Sequence, residues 1–454
     1  MLPRTIQDAV RITRRLGFEY IWIDALCIIQ GESEDWAHES SRMSQIYGNA
    51  SLTLAADLAP SSDYGILRPR TTFHSHNFGP SQEYCLHNSG LGWADVPYEP
   101  LGQRGWSLQE RILSTRILHF LYFQIAWECK TTVYMEEFEG SMTNNPGHFT
   151  TSDFRNFLNG TSFIHAEEFA GLPESAQAKD QECQDMSRAS AWLKIVQELS
   201  IRKFTVPSDR LPCLAGLASA IEVPSLGNYL AGVWEKYTFI SLSWYTRYPQ
   251  KAYSSYRAPS WSWAATERQL MRFDDLSRSD PSPVEEEEWC SWFALFGPRL
   301  LTYQIIAKDS NNPKGEVQEG SYIVVNGYCR DIYVAEIPGT TFDEWRFLRE
   351  EVESRRGMNV HMDMREQNRE SKSYFAEDPA NQDAEIGLAT LNKYLCIQIS
   401  REKKLNSPKT MALILEGGYR TEDGFKRVGL LAFDSPVAND PEVADWTNRS
   451  LKLF

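Results

Sequence analysis

A single apolar run near the start of the chain constrains the fold more than any other sequence feature. Residues 20–29 read Tyr-Ile-Trp-Ile-Asp-Ala-Leu-Cys-Ile-Ile, in which Asp24 is the one charged side chain. The run is too short to cross a membrane as a helix, and it is typical of a strand that is buried on both faces. Strands of this kind occur in parallel sheets that helices cover on both sides. We therefore predict an α/β fold for this part of the chain.

The segments around this run alternate between helix and strand patterns. Residues 4–16 place apolar side chains at helical spacing and stop at Gly17, and Ser33 or Asp35 is placed to cap a second helix. Residues 51–56 then form the next strand pattern. Helix, buried strand, helix and strand in this order predict a right-handed βαβ unit. The N-terminal domain is therefore predicted to contain an open parallel sheet with flanking helices.

Composition divides the chain into further regions. We predict a first domain at residues 1–133 and a polar linker or insertion, rich in Gly, Asn and Ser, at residues 134–190. Residues 191–270 are predicted to form a helical, aromatic-rich connector, and residues 291–454 a β-rich C-terminal region. A highly charged stretch at about residues 345–385 is predicted to be a solvated loop within that region.

The charge balance argues against two classes of partner. The chain has 61 acidic and 46 basic residues, which gives a net charge of −15. Nucleic-acid backbones and anionic membranes both select basic surfaces, so neither is expected as a main partner. No apolar secretory segment and no run of 18 apolar residues is present, so we expect a soluble, cytoplasmic protein without membrane insertion.

Common catalytic and metal-binding signatures are missing from the sequence. The eight cysteines include no CxxC pair, so no metal site is predicted, and thiols such as Cys27 are interpreted as buried and inert. No GxxxxGK[ST] motif occurs, and the glycines at 90 and 92 lack the third glycine of a dinucleotide fingerprint. The residues alone therefore do not identify an enzyme.

Four sequence blocks, taken together, resemble a known family. They occur in the family's order, at residues 2–9, at 20–30 with Asp35, Trp36 and Glu39 following, at 43–50, and at 104–111. The pattern is similar to that of fungal heterokaryon incompatibility (HET) domain proteins. Residues 208–216 and 258–264 also resemble segments that are common in the C-terminal halves of such proteins. The family's usual opening strand, with a Tyr-x-x-Leu-Ser-Tyr-x-Trp-Gly pattern, is missing, so we expect an N-terminally truncated member.

The resemblance implies a function and an activity. Members act in heterokaryon incompatibility, a form of allorecognition that ends in programmed cell death. The family is thought to be distantly related to TIR domains, which have a flavodoxin-like fold and in some cases cleave NAD. This implies a TIR-like sheet, NAD as a substrate rather than a bound cofactor, and protein partners or self-association. A non-catalytic interaction module and a decayed paralogue without a signalling role are the alternatives.

The TIR resemblance also implies a catalytic residue. TIR enzymes use a glutamate on the helix after a central strand, and the matching position here is Glu39. Such a carboxylate could stabilise the positive charge that develops as a glycosidic bond breaks. The alternative is a structural ion pair of Glu39 with Arg42, Arg104 or Arg111.

Six further residues are candidates for ligand or cofactor binding. Asp24 and Gln30 lie near the predicted carboxyl end of the buried strand, where open α/β sheets bind ligands, although either could instead cap the following loop. The remaining candidates belong to the last block and are Arg104, Trp106, Gln109 and Glu110. Arg104 could clamp a ligand, or it could join the last block to Asp24 or Glu39. A cleft that holds Glu39, Asp24 and Arg104 would favour an enzyme, whereas an exposed apolar patch with Glu39 in an ion pair would favour assembly.

Overall fold

The computed structural model describes most of the chain in two compact units. The first unit comprises Met1–Ala170 with Ile201–Ile221, and the second comprises Gly171–Ser200 with Glu222–Phe454. The described residues are 2–68, 99–122, 124–136, 141–142, 185, 188–189, 191–246, 250–251, 255–272, 298–338, 358–362, 364–365, 371–376, 390–401, 409–417, 424–434 and 446–454. Most of the linker predicted at residues 134–190 lies outside these ranges.

Among the described residues of the first unit, five segments form α-helices. They are α1 (Arg4–Arg15), α2 (Asp24–Cys27), α3 (Ser33–Asn49), α4 (Ser107–Leu113) and α5 (Pro212–Ile221). Helix α1 buries Ile6, Ala9 and Thr13, as the helical spacing predicts, and it also buries Asp8. Gly17 follows the helix with a φ of 80°. The buried carboxylate of Asp8 accepts hydrogen bonds from two backbone N–H groups, those of Ile66 at 3.0 Å and Leu67 at 3.2 Å.

The sheet of the first unit is mixed. Its strands are β1 (Thr53–Ala55), β2 (Arg116–Phe120), β3 (Ile125–Cys129), β4 (Val133–Met135) and β5 (Ser141–Met142), in the spatial order β1-β2-β3-β4-β5. Strands β1 and β2 pair in parallel, and each of the other neighbouring pairs is antiparallel. The predicted α/β class is therefore confirmed, while parallel pairing is limited to β1 and β2 among these strands.

The apolar run at residues 20–29 does not form the predicted strand. Its centre is the short helix α2, which has no buried residue, and the ring of Tyr20 is 88% exposed. Two carboxylates accept hydrogen bonds from backbone N–H groups of the segment. Asp24 accepts from the N–H of Ala25 at 2.7 Å, and Asp35 accepts from the N–H of Ile29 at 2.7 Å. Such local bonds compete with strand pairing. The prediction was wrong because a strand also needs a neighbouring strand to pair with, and hydrophobicity does not show whether one is present.

The second unit is built mainly from strands. Its short helix is α6 (Thr238–Ser241), and residues 191–200 are also helical. Its strands are β6 (Tyr229–Leu230), β7 (Val233–Trp234), β8 (Trp244–Thr246), β9 (Gln250–Lys251), β10 (Leu270–Arg272), β11 (Arg299–Gln304), β12 (Tyr322–Pro338), β13 (Met358–Met362), β14 (Met364–Arg365), β15 (Ser371–Ala376), β16 (Thr390–Arg401), β17 (Lys409–Gly417), β18 (Phe425–Asp434) and β19 (Thr447–Leu453). The largest sheet runs β11-β12-β16-β17-β18-β13, with β15 paired to β12 and β19 paired to β12 and β18.

Strands also occur within the stretch predicted as a charged loop at residues 345–385. Strand β13 pairs with β18, and β15 pairs with β12. The rest of that stretch lies largely outside the described residues. The prediction was therefore wrong for β13, β14 and β15, because pairing with strands distant in sequence overrides the local excess of charge.

Candidate functional site

A small cavity lies in the first unit between its sheet and helices. Its volume is about 60 Å³, and its wall is formed by Tyr47, Thr53, Leu54, Ala55, Asp57, Leu101, Gly102, Ser107, Glu110, Arg111, Ile117, His119 and Arg202. A cavity of this size holds a few water molecules. It is much smaller than the pockets of several hundred Å³ that enclose drug-sized ligands. Only part of a larger ligand would therefore enter it.

Glu110 is positioned at this cavity by the turn that precedes α4. The hydroxyl of Ser107, which has one proton to donate, lies within hydrogen-bond distance of two carbonyl oxygens, those of Leu101 at 2.8 Å and Arg104 at 2.7 Å, and this contact fixes the start of the helix. Leu108 and Ile112 are buried on the same short helix. Glu110 is left half-buried at the cavity wall.

The environment of Glu110 favours its neutral form. Burial and, to a smaller extent, the charge of Asp24 raise its pKa to about 7, against the opposing effects of Arg104, a hydrogen bond with Tyr47, and Arg202. The pKa of Tyr47 is raised well above its usual value, first by burial and then by Glu110. We call Asp24, Arg104, Glu110 and Arg202 the Glu110 group. Its central carboxyl group changes charge near neutral pH.

A second set of charged residues contains Asp57, Arg111 and His119 from the cavity wall and the buried Glu128. His119 on β2 bonds Asp57 through Nδ1 at 3.0 Å and Glu128 on β3 through Nε2 at 3.1 Å. Arg111 on α4 donates to Glu128 from Nε at 2.8 Å and from Nη2 at 3.4 Å. We call Asp57, Arg111, His119 and Glu128 the His119 group. It connects β2 and β3 to helix α4.

The carboxylates keep His119 protonated. Burial opposes the charge of the imidazole, but Asp57 and Glu128 outweigh it and raise the pKa of His119 to about 9. Burial also opposes ionisation of Glu128, and Arg111 with His119 nevertheless lowers its pKa to about 2. The His119 group is therefore fully charged at neutral pH, with two positive and two negative members.

Residues 1–110 match a family model described as heterokaryon incompatibility protein (HET).

Residues 1–110 are similar to the HET domain.

The match agrees with the resemblance of the sequence blocks, and it indicates a role in heterokaryon incompatibility. It covers the cavity residues up to Glu110, whereas Arg111, His119, Glu128 and Arg202 follow it in sequence. No curated protein and no solved structure matches the chain. We refer to residues 1–110 as the HET segment.

Three of the residues selected from the sequence come together in the HET segment. Asp24, Arg104 and Glu110 are close enough that the charges of the first two shift the pKa of the third. Asp24 is half-buried in α2, and Arg104 is exposed in the turn before α4. Arg104 and Asp24, the residues predicted to join the last block to residues 20–29, therefore both act on Glu110, and a direct contact between the two stays a prediction.

Glu39, the predicted catalytic residue, is placed differently. Its carboxylate pairs with Arg42 at 3.2 Å and lies 3.8 Å from the ring of His38, all on α3. Glu39 is not part of the cavity wall. The structure thus shows the ion pair with Arg42 that the sequence left open as an alternative.

The other three predicted ligand-binding residues make structural contacts. Gln30 is exposed and donates to the carbonyl of Ile28 at 2.9 Å. Trp106 donates from its indole N–H to Asp209 at 3.0 Å. Gln109 is buried, and its side-chain oxygen accepts a bond from the backbone N–H of Gly216 in α5 at 3.0 Å.

Sequence reasoning missed several cavity residues. Tyr47, Asp57, His119 and Arg202 line the cavity, and none of them was selected. One signal was available for His119, because a polar side chain within an apolar strand pattern needs a partner when it is buried.

Two further observations concern chemistry predicted from the cysteines and other polar residues. Cys27 is an exposed free thiol in α2, so its interpretation as a buried residue was wrong. Across the described ranges, no group of three or more His, Cys, Asp or Glu side chains is arranged to hold a metal ion. No helix in the described part of the chain is long and apolar enough to cross a membrane.

Proposed function

We propose that this protein acts in heterokaryon-incompatibility signalling by cleaving the N-glycosidic bond of NAD, and that this cleavage triggers a cell-death response. The proposal assigns the catalytic base to Glu110 instead of Glu39. One observation carries it: the carboxyl group of Glu110 faces a cavity, bonds Tyr47, and has a pKa of about 7. A base with a pKa near the working pH combines a useful ionised fraction with proton affinity.

The proposed reaction uses a water molecule inside the cavity. In NAD the bond between ribose C1′ and the nicotinamide nitrogen breaks, and nicotinamide leaves as a neutral molecule because its ring carries the positive charge beforehand. Positive charge builds on the ribose in the transition state, and nearby carboxylates stabilise it. Water then forms the new bond to C1′ and transfers its proton to ionised Glu110. The products are nicotinamide, ADP-ribose and one proton.

The size of the cavity agrees with this division of roles. About 60 Å³ accommodates water but not a nicotinamide ring, so the ribose would be presented at the cavity mouth. Arg104 is exposed and its charge acts on Glu110, so it is available to bind a phosphate group of the dinucleotide outside the cavity. Glu39 lacks such an environment because Arg42 neutralises it on α3.

The pH dependence of NAD cleavage tests this function. We expect nicotinamide release under subsaturating NAD to increase about tenfold per pH unit below pH 7 and to level off above it, because the ionised form of Glu110 is the base. Nicotinamide would be measured by chromatography over pH 5–9 at constant ionic strength. A sample that stays folded over this range and releases no nicotinamide would overturn the proposal.

A second function is favoured by a different surface. Residues 16–29 carry six exposed large apolar side chains, at Leu16, Phe18, Tyr20, Ile21, Leu26 and Ile29. Exposed apolar surface of this kind marks an interaction site, and the ion pair of Glu39 with Arg42 fits a non-catalytic module. The occupant we propose is the same segment of a second copy, because two identical apolar surfaces can cover each other.

Self-association through this surface has a direct test. The wild-type protein is expected to sediment as a dimer at micromolar concentration, and the double variant Leu26→Glu, Ile29→Glu as a monomer, because each new charge would be desolvated at the contact. Both side chains are more than half exposed, so the substitutions should leave the fold intact. A wild-type monomer over the whole concentration range would contradict the proposal.

A further inference from the structure

Strand β1 forms one edge of the sheet in the first unit. It pairs in parallel with β2, and no other described strand pairs with it. Its outward edge therefore carries backbone N–H and C=O groups that have no partner in the described sheet. Thr53 and Leu54 on this strand are only half-buried. An unpaired edge of this kind is a template for one further strand.

Residues 20–23 precede α2 and also lack a pairing partner. They belong to no helix or strand, and Ile23 has the dihedral angles of a strand, with φ at −136° and ψ at 122°. The backbone groups of residues 20–22 make no hydrogen bond to the backbone of any described residue. Tyr20 and Ile21 are exposed. The segment is therefore an apolar piece of chain, extended at Ile23, whose hydrogen-bonding groups are open to a neighbour.

Trp22 points to the same side of the sheet as two residues of β1. Its ring contacts that of Tyr47 on α3 edge to face, with the ring centroids 5.8 Å apart. Tyr47 forms the wall of the cavity together with Thr53 and Ala55. These two residues are two positions apart on β1, so both face the α3 side of the sheet. Trp22 therefore lies on that side as well.

Ile23 points to the other side of the sheet, where Leu54 of β1 is found. Both side chains pack against one apolar cluster, whose buried members are Ala9, Ile66 and Phe120. Consecutive side chains of a strand face opposite sides of a sheet, and those of Trp22 and Ile23 do the same. Residues 22–23 thus continue the layer of the sheet beyond β1 without pairing with it. An unfilled strand position between the two backbones explains both features.

We propose that an extended segment of a partner protein enters between residues 20–23 and β1 and adds one strand to the sheet. An extended chain offers N–H and C=O groups along both of its edges, so it can pair with both backbones at once. Its side chains would face the apolar cluster on one side and Trp22 with Tyr47 on the other. A strand that is covered on both faces is rich in Val, Ile and Leu, and this is the composition expected of the segment.

This contact is separate from the two functions proposed above. Cleavage of NAD uses the cavity at Glu110, and self-association uses exposed apolar side chains such as those of Leu26 and Ile29. The inserted strand uses backbone groups that neither function needs. Its presence or absence therefore leaves both of those proposals open to their own tests.

Binding of a designed peptide tests the proposal. The probe has alternating Val and Ile residues between one Lys and one Glu, which keep it soluble, and its saturable binding to the wild-type protein would be measured by fluorescence anisotropy. Amide hydrogen exchange is expected to slow in residues 20–22 and in residues 53–55 together when the peptide is bound, because both backbones gain hydrogen bonds. No saturable binding, or slower exchange in one of the two segments only, would overturn the proposal.

Two N-methylated peptides show whether both edges of the added strand are used. One is methylated on the amides of its odd-numbered residues and the other on those of its even-numbered residues. Each keeps every side chain and one complete hydrogen-bonding edge. Both are expected to bind at least about tenfold more weakly than the unmodified peptide, because insertion needs both edges. Full affinity of either methylated peptide would indicate addition to a single edge and would contradict insertion between two backbones.

The double variant Leu26→Glu, Ile29→Glu is the matched control. Its substitutions change the exposed apolar surface and leave residues 20–23 and β1 as they are, so it is expected to bind the peptide with wild-type affinity. Loss of binding in this variant would place the peptide on that exposed surface and overturn the proposal. Protection of both segments without peptide, increasing with protein concentration, would identify a second copy as the donor and overturn the assignment to a different protein.

Discussion

Replacement of Glu110 by Gln is expected to lower nicotinamide release by about 10²–10⁴-fold, the usual contribution of a general base. Gln retains the shape of the side chain but cannot accept a proton from water. Replacement of Glu39 by Gln is expected to leave the rate within about twofold, because loss of its pair with Arg42 is a local change outside the cavity wall. The two variants differ from the wild type by the same chemical change at two sites 71 positions apart in sequence.

The comparison separates the two candidate bases. Both variants would be assayed at pH 8, where wild-type Glu110 is largely ionised, and at equal concentrations of folded protein judged by circular dichroism. A large loss in Glu39→Gln with full activity in Glu110→Gln would return the catalytic role to Glu39. Equal activity in all three proteins would contradict both assignments.

Replacement of Glu128 by Ala is expected to lower the free energy of unfolding by about 3–5 kcal/mol, the cost of breaking a buried ion pair from one side. Glu128 is fully buried, and its removal leaves the charged groups of Arg111 and His119 without their shared carboxylate. Loss of this anion also removes one of the two causes that raise the pKa of His119. The variant should therefore respond by partial deprotonation of the imidazole at neutral pH.

Glu39 provides a matched control for this experiment. Its carboxylate also pairs with one arginine and one histidine, Arg42 and His38. Both of these side chains are more than half exposed to solvent. Glu39→Ala is expected to change the free energy of unfolding by no more than about 1 kcal/mol. Urea denaturation of both variants would be followed by tryptophan fluorescence. A similar decrease in the free energy of unfolding in the two variants would show that burial does not make the ion pairs of Glu128 more stabilising than those of Glu39.

Local sequence patterns were sufficient for several elements. The spacing of Ile6 and Ala9 predicted α1, and the end of that helix at Gly17 follows from its positive φ. Helix α3 and strand β1 also occur where capping residues and the strand pattern at residues 51–56 predicted them. These elements depend on residues within a few positions of each other, so a single sequence contains the information. The family blocks were recognisable for the same reason, and a family match over residues 1–110 confirms them.

The candidate site was predicted only in part. Arg104 and Glu110 were selected because they stand in the last family block, and Asp24 because it lies near the end of the predicted strand; the structure brings the charges of all three together. The family blocks contain both Glu39 and Glu110, and they did not show which of these carboxylates faces the cavity. Glu39 and Glu110 both lie on helices, and only the packing of α4 against the sheet places Glu110 rather than Glu39 at the cavity.

Other features depended on hydrogen bonds and charge pairs that hydrophobicity and periodicity do not show. The run at residues 20–29 had the hydrophobicity of a buried strand, but hydrogen bonds to Asp24 and Asp35 replace strand pairing there. His119 acquired its charge from Asp57, which is 62 positions away, and from Glu128 on the next strand. Composition and periodicity therefore determined which segments form helices and strands in most of the first unit. Tertiary structure decided which polar groups share a buried space, because burial and charge pairing depend on distances that sequence spacing does not specify.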